Sequence, residues 1–281
     1  MKSIKSIFIS TYLTVLVVGL LLSIWKLSSG IDWRWLGVIS GVAPMLVFFA
    51  WLFLLRPART SATLPVWQAA TLLGALFTLA ANLVVGVELF TLVFVPGFAV
   101  AGLYLYIFWY SRYQRVATVL PGSTFPAITL QQLDGTDITL DTFLGGPLVL
   151  MFYRGNWCPL CMAQIREVAE QYQKLEQMGA RVALVSPQPA DHSRELAAQF
   201  GVNFEFLVDR DHRAARSLGI LDAGNTPAGL EVLGYDADTV MPTVYVLDKH
   251  GTVLFAHLTD NYRVRPEPEL FLRVLAEQGG T

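Results

Sequence analysis

The chain has 281 residues, of which 54% are hydrophobic and only 15% are charged. Soluble domains carry about 25% charged residues, so this composition excludes an ordinary soluble globule as the whole chain. The charge is also unevenly divided: residues 1–118 hold eight Lys and Arg against two acids, whereas residues 119–281 hold twelve against twenty. No basic stripe suggests a nucleic-acid partner, and a total of two cysteines excludes a disulfide-stapled secreted scaffold.

Four long apolar segments dominate the first 118 residues. They are Ile7–Trp25, Leu36–Leu55, Val66–Val85 and Leu89–Tyr110. Each is about as long as a helix that crosses the ~30 Å hydrocarbon layer of a bilayer. A cleaved signal peptide is the alternative for the first segment, but its apolar run is too long and three more follow it. Residues 1–118 are therefore predicted to be an α-helical membrane region of about four transmembrane helices, with lipid as their partner.

The basic residues near the segment ends predict an orientation. Six fall on one side of a four-span arrangement, namely Lys2, Lys5, Arg56, Arg59, Arg112 and Arg115. Only Lys26 and Arg34 fall on the other side. Because loops rich in Lys and Arg stay in the cytoplasm, we expect an inner or plasma membrane protein whose second half faces the cytoplasm. One miscounted span would reverse this orientation.

Few polar residues interrupt the apolar segments. This half of the sequence has no Cys or His, which excludes a thiol relay or a His-ligated haem within it. Asn82 and Gln68 are the notable exceptions, and we expect each to hydrogen-bond between helices rather than to form a binding site.

Residues 119–281 alternate between strand and helix patterns. The predicted strands are Phe125–Leu130, Asp137–Leu140, Leu148–Tyr153, Arg181–Ser186, Phe204–Val208 and the hairpin of Thr243–Asp248 with Thr252–His257. The predicted helices are Pro159–Met178, Ser193–Phe200, His212–Leu218 and Glu267–Glu277. This alternation predicts an α/β domain with a three-layer sandwich, large enough to have its own core.

Both cysteines lie in Trp157-Cys158-Pro159-Leu160-Cys161, where a predicted buried strand meets a helix. Cys158 is expected at the N-cap, with Pro159 at the first helical position, where its missing N–H costs nothing. The positive end of the helix dipole stabilises a thiolate there. We therefore expect Cys158 to be the more exposed, attacking thiol and Cys161 to resolve the mixed disulfide. Arg154 either adds a second cationic stabilisation or is a surface arginine.

Other interpretations of the cysteine pair remain open. A structural zinc site needs four ligands, and only distant histidines could complete one. Haem attachment requires a His after the second Cys, where Met162 stands. Two inert core thiols are possible, but they do not explain a pair spaced around a proline at a helix start. A redox dithiol with no metal or cofactor is the favoured interpretation.

A second motif is Met241-Pro242-Thr243, directly before a predicted strand. With this motif and the run from Val149 to Cys161, residues 119–281 resemble the thioredoxin superfamily. The likeness is closest to its redoxin branch, the alkyl hydroperoxide reductase/thiol-specific antioxidant family with its peroxiredoxin-like members. The resemblance implies a thioredoxin fold in which Pro242 is a cis-proline facing the dithiol. Its cis bond would turn the Met241 backbone outward to pair with a substrate strand. A proline that merely begins a strand is the alternative.

The resemblance includes a departure at the reactive motif. Peroxiredoxins carry Pro-x-x-x-Thr-x-x-Cys, and aligning their peroxidatic Cys with Cys161 puts Arg154 at the Pro and Cys158 at the Thr. The sequence therefore combines a redoxin body with a thioredoxin-like motif, which makes peroxide reduction and disulfide exchange both plausible. If Cys161 rather than Cys158 proves essential for the first step, peroxidatic attack moves to Cys161.

The predicted function is that of a membrane-anchored thiol oxidoreductase. In it Trp157 shields the site, Arg154 tunes it, Pro242 presents a peroxide or disulfide substrate, and an external thiol reductant such as a thioredoxin-like protein resets the pair. The alternatives are a dedicated disulfide reductase and a docking domain of a membrane complex with an idle dithiol.

Weaker candidates lie elsewhere in the second half. Asp209 and Asp211 fit a capped turn better than a metal loop. Arg263 and Arg265 either approach the active face or border the final helix, and neither is assigned a catalytic role. The Gly-rich segment Ala223–Asp238 could shape substrate access.

Overall fold

The computed structural model describes residues 4–115 and 118–279. These residues form two compact units. The helical unit comprises residues 4–56 and 60–112, and the α/β unit comprises residues 57–59 and the described residues from Tyr113 onward. The predicted fold class, long apolar helices followed by an α/β domain, is confirmed.

Four helices make up the helical unit: α1 (Ile4–Leu27), α2 (Trp33–Leu54), α3 (Pro65–Val85) and α4 (Leu89–Tyr110). Each is long and apolar enough to cross a membrane. Helix α4 widens into π-helical turns at Val95–Val100 and Tyr106–Tyr110. Wide turns free carbonyl groups from the regular α-helical ladder, and the hydroxyl of Tyr12 on α1 donates to the Ala99 carbonyl at 3.2 Å.

Small residues let α2 and α3 pack closely. A Cβ on Gly74 would lie 2.4 Å from the Ser40 carbonyl oxygen, and one on Gly37 would lie 2.7 Å from the Thr78 Cα. Both approaches are shorter than any side chain allows, so glycine is required at the two positions.

The predicted role of Asn82 between helices agrees with its hydrogen bonds. Its Nδ2 lies 3.0 Å from the Thr91 hydroxyl on α4, and its Oδ1 accepts the Glu88 N–H at 2.8 Å. Asn82 thus closes the three-residue connection between α3 and α4. Gln68 differs from its prediction, because its side chain donates to the Thr63 carbonyl just before its own helix.

A seven-stranded mixed sheet forms the centre of the α/β unit. Its strands are β1 (Thr129–Gln131), β2 (Asp137–Thr139), β3 (Leu148–Phe152), β4 (Arg181–Ser186), β5 (Glu205–Val208), β8 (Thr243–Leu247) and β9 (Val253–His257), in the order β2-β1-β5-β4-β3-β8-β9. Strands β3, β4 and β5 are parallel, whereas the other pairings are antiparallel. Two short strands, β6 (Leu221–Asp222) and β7 (Thr239–Val240), form a separate ladder that the sequence analysis missed.

The helices of this unit are α5 (Pro159–Glu170), α6 (Tyr172–Gln177), α7 (Ala190–Ala197), α8 (Arg213–Ser217) and α9 (Pro268–Gly279). All five residues of β3 are buried. One face of β3 joins a core cluster with Ala214 and Ala215 of α8, while Val149 and Met151 on its other face are 0% and 1% exposed. A strand buried on both faces is expected where a sheet lies between two covering layers. The single helix predicted over Pro159–Met178 is broken at Gln171, whose backbone leaves the helical region.

Candidate active site

The cysteine pair lies where the central strand β3 passes into helix α5. Cys158 is the N-cap residue of α5, with an extended backbone (φ −90°, ψ 107°), and Pro159 occupies the first turn. The Cys158 N–H donates to the Gly155 carbonyl at 3.1 Å, and its own carbonyl accepts the Met162 N–H at 3.1 Å. Cys161 therefore sits in the first turn of α5, in the positive field of the helix start.

Both thiols are buried, so Cys158 has almost none of the additional exposure that was expected for it. Cys158 is 2% exposed and Cys161 is 1% exposed. Arg154 and Leu160 beside them are 5% and 1% exposed, so the face of α5 that carries both sulfurs is buried. Cover of this kind comes from residues distant in sequence, and a Cys-x-x-Cys pattern carries no information about it.

The surroundings of the two sulfurs favour ionisation of Cys161. Burial opposes it, but the hydrogen bond from the Cys158 thiol, the charge of Arg265 and the Arg154 backbone N–H outweigh burial and lower the pKa of Cys161 to about 5. The hydrogen bond to Cys161 and burial raise the pKa of Cys158 well above its ordinary value. One sulfur is thus stabilised as a thiolate while its neighbour keeps its proton. This order is the reverse of the predicted one, because the positive groups converge on the inner sulfur.

Arg154 is an interior residue, which excludes the interpretation as a surface arginine. Its guanidinium lies 4.6 Å from the ring centroid of Trp157 and 5.6 Å from that of Tyr262. Its Nη2 donates to the Asn225 carbonyl at 3.0 Å and lies 3.8 Å from the Asp222 carboxylate. Asn225 belongs to the Gly-rich segment, so that segment helps to hold the arginine beside the dithiol.

Arg265 is the site residue that the sequence analysis did not assign. It is 6% exposed, and its Nη2 lies 3.7 Å from the Cys161 sulfur. Its Nε donates to the Tyr262 carbonyl at 2.6 Å, and its Nη1 donates to Gln164 Oε1 at 3.1 Å. These bonds hold the guanidinium against the sulfur. The only signal in the sequence was a basic pair ahead of Pro266 in an otherwise acidic half.

A polar network holds the loop between β3 and Cys158. The Gln188 side chain is 1% exposed, and its Oε1 accepts the Asn156 N–H at 2.9 Å. Its Nε2 lies within 3.0 Å of Tyr153 Oη and of Ser193 Oγ. Gly155 adopts a φ of +147°, which a residue with a Cβ rarely adopts. The loop that presents the first cysteine is thereby fixed in one conformation.

Pro242 does not have the predicted cis bond, because every peptide bond in the described ranges is trans. The Met241 N–H donates to the Ile220 carbonyl at 2.7 Å, so it does not face outward for a substrate strand. Arg115 covers the same segment: its Nη2 donates to the Pro242 carbonyl at 3.1 Å and its Nη1 to Thr243 Oγ1 at 2.7 Å. The backbone groups that would present a substrate are thus used within the fold.

His257 adds a neutral ring to this region. Burial, with the nearby charges of Arg265 and Arg115, lowers the pKa of His257 to about 4. The ring is therefore uncharged at neutral pH, and positive charge at the site comes from arginine. In the part of the chain that the structure describes, no group of three or more His, Cys, Asp and Glu side chains is placed to hold a metal ion.

Asp209 acts as a cap, as the sequence analysis favoured. Its two carboxylate oxygens accept the N–H groups of Ala214 and Ala215, each at 2.8 Å, at the start of α8. A carboxylate engaged in this way satisfies donors that the helix leaves unpaired.

Comparison with known proteins agrees with this arrangement. The AhpC/TSA family matches residues 121–256. This part of the chain is an AhpC/TSA family domain. The domain is that of a thiol-dependent oxidoreductase of peroxiredoxin-like type, with the thioredoxin fold that the sequence analysis expected.

Among curated relatives of the AhpC/TSA domain, chloroplastic peroxiredoxin Q of Sedum lineare is 29% identical over 155 residues, which are 55% of this chain and 75% of that protein. The thiol-disulfide oxidoreductase ResA of Geobacillus thermodenitrificans is 24% identical over 149 residues, which are 53% of this chain and 75% of that protein. A solved structure of a peroxiredoxin-like protein from Aquifex aeolicus is 17% identical, with a TM-score of 0.48 over 58% of this chain and 91% of its own.

Proposed function

We propose that this chain is a membrane-anchored thiol peroxidase in which Cys161 attacks the peroxide and Cys158 resolves the product. The observation that carries the proposal is the contact of Arg265 with the Cys161 sulfur at 3.7 Å in a site that is almost closed. A thiolate is the nucleophilic form of cysteine, and a buried one is reached more readily by a small peroxide than by a folded protein. The family relationship to peroxiredoxin Q supports the same chemistry.

The proposed cycle has three steps. The Cys161 thiolate attacks one peroxide oxygen, so that an S–O bond forms, the O–O bond breaks and the other oxygen leaves and takes a proton. The Cys158 thiol then attacks the sulfur of the Cys161 sulfenic acid, forming the disulfide and releasing water. An external dithiol, such as a thioredoxin-like protein, reduces the disulfide and is itself oxidised. No cofactor takes part.

We further propose that residues 1–118 are the membrane anchor and residues 119–281 the catalytic domain. Four helices with the length and composition of membrane spans support this division. The distribution of Lys and Arg supports a cytoplasmic catalytic domain. In the cytoplasm, the surrounding thiol pool favours the reduced, reactive form of the pair.

Serine variants of the two cysteines test the proposed roles. In Cys158→Ser, one equivalent of hydrogen peroxide should still be consumed, leaving a sulfenic acid on Cys161 that dimedone traps and mass spectrometry locates. In Cys161→Ser, peroxide consumption should fall to the level of the uncatalysed thiol reaction. Sulfenic acid on Cys158 of the Cys161→Ser variant at the wild-type rate would overturn the assignment.

Disulfide reduction is a second candidate. It is favoured by the hydrogen-bonded pair itself, in which both sulfurs are close enough to interact, and by the relationship to ResA. Mixing the reduced protein with an oxidised model protein separates the two activities. Faster turnover with that protein disulfide than with hydrogen peroxide would make disulfide reduction the principal function.

A further inference from the structure

Tyr113 has a buried hydroxyl group, and its backbone is bonded to the segment that carries Tyr262 and Arg265. Its Oη is buried, and no hydrogen-bond partner for it occurs within residues 4–115 and 118–279. The charges of Arg154, Asp222, Arg265 and Cys158 all act on this side chain. A buried hydroxyl without a partner is costly, so a group of this kind at a reactive centre calls for an explanation.

The backbone around Tyr113 is fixed by the catalytic domain. The Tyr113 N–H donates to the Asp260 carbonyl at 2.6 Å, and its ring packs against the core cluster of that domain. Two residues later, Arg115 lies with its guanidinium 5.9 Å from the Tyr113 ring centroid and is bonded to Pro242 and Thr243. The hydroxyl is therefore held in place, although the sequence separates it from both cysteines by more than 40 positions.

Peroxide cleavage by Cys161 needs a hydrogen-bond donor near its sulfur. As the S–O bond forms, negative charge develops on the leaving oxygen, and a preorganised donor lowers the energy of that state. Two nearby donors are already used: the Cys158 N–H bonds Gly155, and the Cys158 thiol bonds Cys161. The Tyr113 hydroxyl is a donor with no such commitment.

We propose that Tyr113 is a catalytic residue that donates a hydrogen bond to the leaving oxygen of the peroxide while Cys161 attacks. This inference rests on the proposed peroxidase function. The O–O electron pair passes to the leaving oxygen, which takes its proton from solvent, and the tyrosine keeps its own. Burial raises the pKa of Tyr113 well above its ordinary value, which agrees with a donor that remains protonated.

The test compares Tyr113→Phe with Tyr245→Phe. Tyr245 is the control, because its hydroxyl is also buried and also lacks a partner among the described residues. We expect Tyr113→Phe to slow oxidation of Cys161 by hydrogen peroxide by about 100- to 1,000-fold, as loss of one donor to a developing oxyanion does. Tyr245→Phe should react at the wild-type rate.

Two further measurements separate a catalytic from a structural role. The pH profile of Cys161 alkylation should be unchanged in Tyr113→Phe, because the hydroxyl acts on the peroxide and not on the thiolate. The defect should shrink with peracetic acid, whose leaving group is a stable carboxylate that needs little stabilisation. The ratio of the rates with hydrogen peroxide and with peracetic acid does not depend on the fraction of protein that is folded.

The possible outcomes separate the role of Tyr113 from the peroxidase function on which it rests. A wild-type protein that does not react with hydrogen peroxide would refute the peroxidase function itself. A reactive wild type with an equally reactive Tyr113→Phe would refute only the role of Tyr113. An equal loss in Tyr245→Phe, or an equal loss with peracetic acid, would also refute that role.

Discussion

Among the charged groups around Cys161, Arg265 lowers the pKa of its thiol most. Its guanidinium is held by the Tyr262 carbonyl and by Gln164, so it has little freedom to leave the sulfur. A fixed positive charge in a buried site acts with little screening by water. The thiolate thus depends on a residue 104 positions away in the chain.

Replacing Arg265 with Met should raise the pKa of Cys161, because the charge that opposes burial is lost. In the wild type the pKa of about 5 keeps the thiolate present at pH 7 and above, and reactivity declines as the pH falls through that value. In Arg265→Met the decline should begin at higher pH, so the rate at pH 7 should fall. The pH dependence of alkylation by iodoacetamide measures both effects.

Arg273→Met is the control for this prediction. Arg273 lies on α9 and is exposed, so removing its charge should leave the profile unchanged. A profile in Arg265→Met that overlies the wild type would show that Arg265 does not stabilise the thiolate.

The loop between β3 and α5 is the element that sets the geometry of the pair. Its conformation combines a positive φ at Gly155, the Gln188 network and an N-cap cysteine. Loops that position reactive groups are commonly held by such a scaffold of buried hydrogen bonds. The short helix α5 then carries Cys161 into the interior.

Gly155→Ala should destabilise this loop. A Cβ at Gly155 would lie 2.8 Å from Trp157 Nε1, and the φ of +147° is strained for alanine. We expect a loss of about 1–3 kcal/mol in the free energy of unfolding together with slower peroxide reduction. Chemical denaturation and the rate of Cys161 oxidation measure the two effects.

Gly201→Ala serves as the comparison. A Cβ there meets nothing within 4 Å, so stability and rate should both stay near the wild-type values. If Gly155→Ala behaved like Gly201→Ala, the loop conformation would not matter for the site.

The whole molecule combines a soluble redox domain with a set of helices suited to a membrane. The apolar surfaces of those helices include exposed Leu73, Leu83 and Val84. Side chains of this kind are stable in contact with lipid and unstable in water. The proposed anchoring therefore accounts for a composition that a soluble enzyme would not tolerate.

Reporter fusions test the proposed orientation. Two reporters are used, one that is active only in the cytoplasm and one that is active only on the opposite side of the membrane. Fused after residue 281, or inserted in the connection between α2 and α3, only the first should be active. Inserted in the connection between α1 and α2, only the second reporter should be active, because one span separates this connection from the one between α2 and α3. The inverse pattern would place the dithiol outside the cytoplasm.

Local patterns in the sequence were sufficient for much of the fold. Continuous apolar runs predict the four helices, and the run before Trp157 predicts the buried central strand. The break at Gln171 and the two-residue strands β6 and β7 were missed, because elements that short have no measurable periodicity. Tertiary contacts decide such details.

The site was predictable only where its residues are adjacent in sequence. The cysteine pair and its helix start follow from one pentapeptide, but the burial of both sulfurs does not. Arg265 reaches Cys161 through the fold, from the far end of the domain sequence. The proposed order of the two thiols depends on the same contacts, which a prediction from the helix dipole alone does not include.

The Asn82 side chain has a consequence for how the protein is made. Its Nδ2 donates to the Thr78 carbonyl within α3, but its Oδ1 accepts from Glu88 and Thr91, which emerge from the ribosome after it. In the proposed membrane arrangement, α3 alone would carry an unpaired amide oxygen into hydrocarbon, at a cost of several kcal/mol. Helices α3 and α4 are therefore suited to enter the bilayer together as a helical hairpin during synthesis, the later helix completing the earlier one.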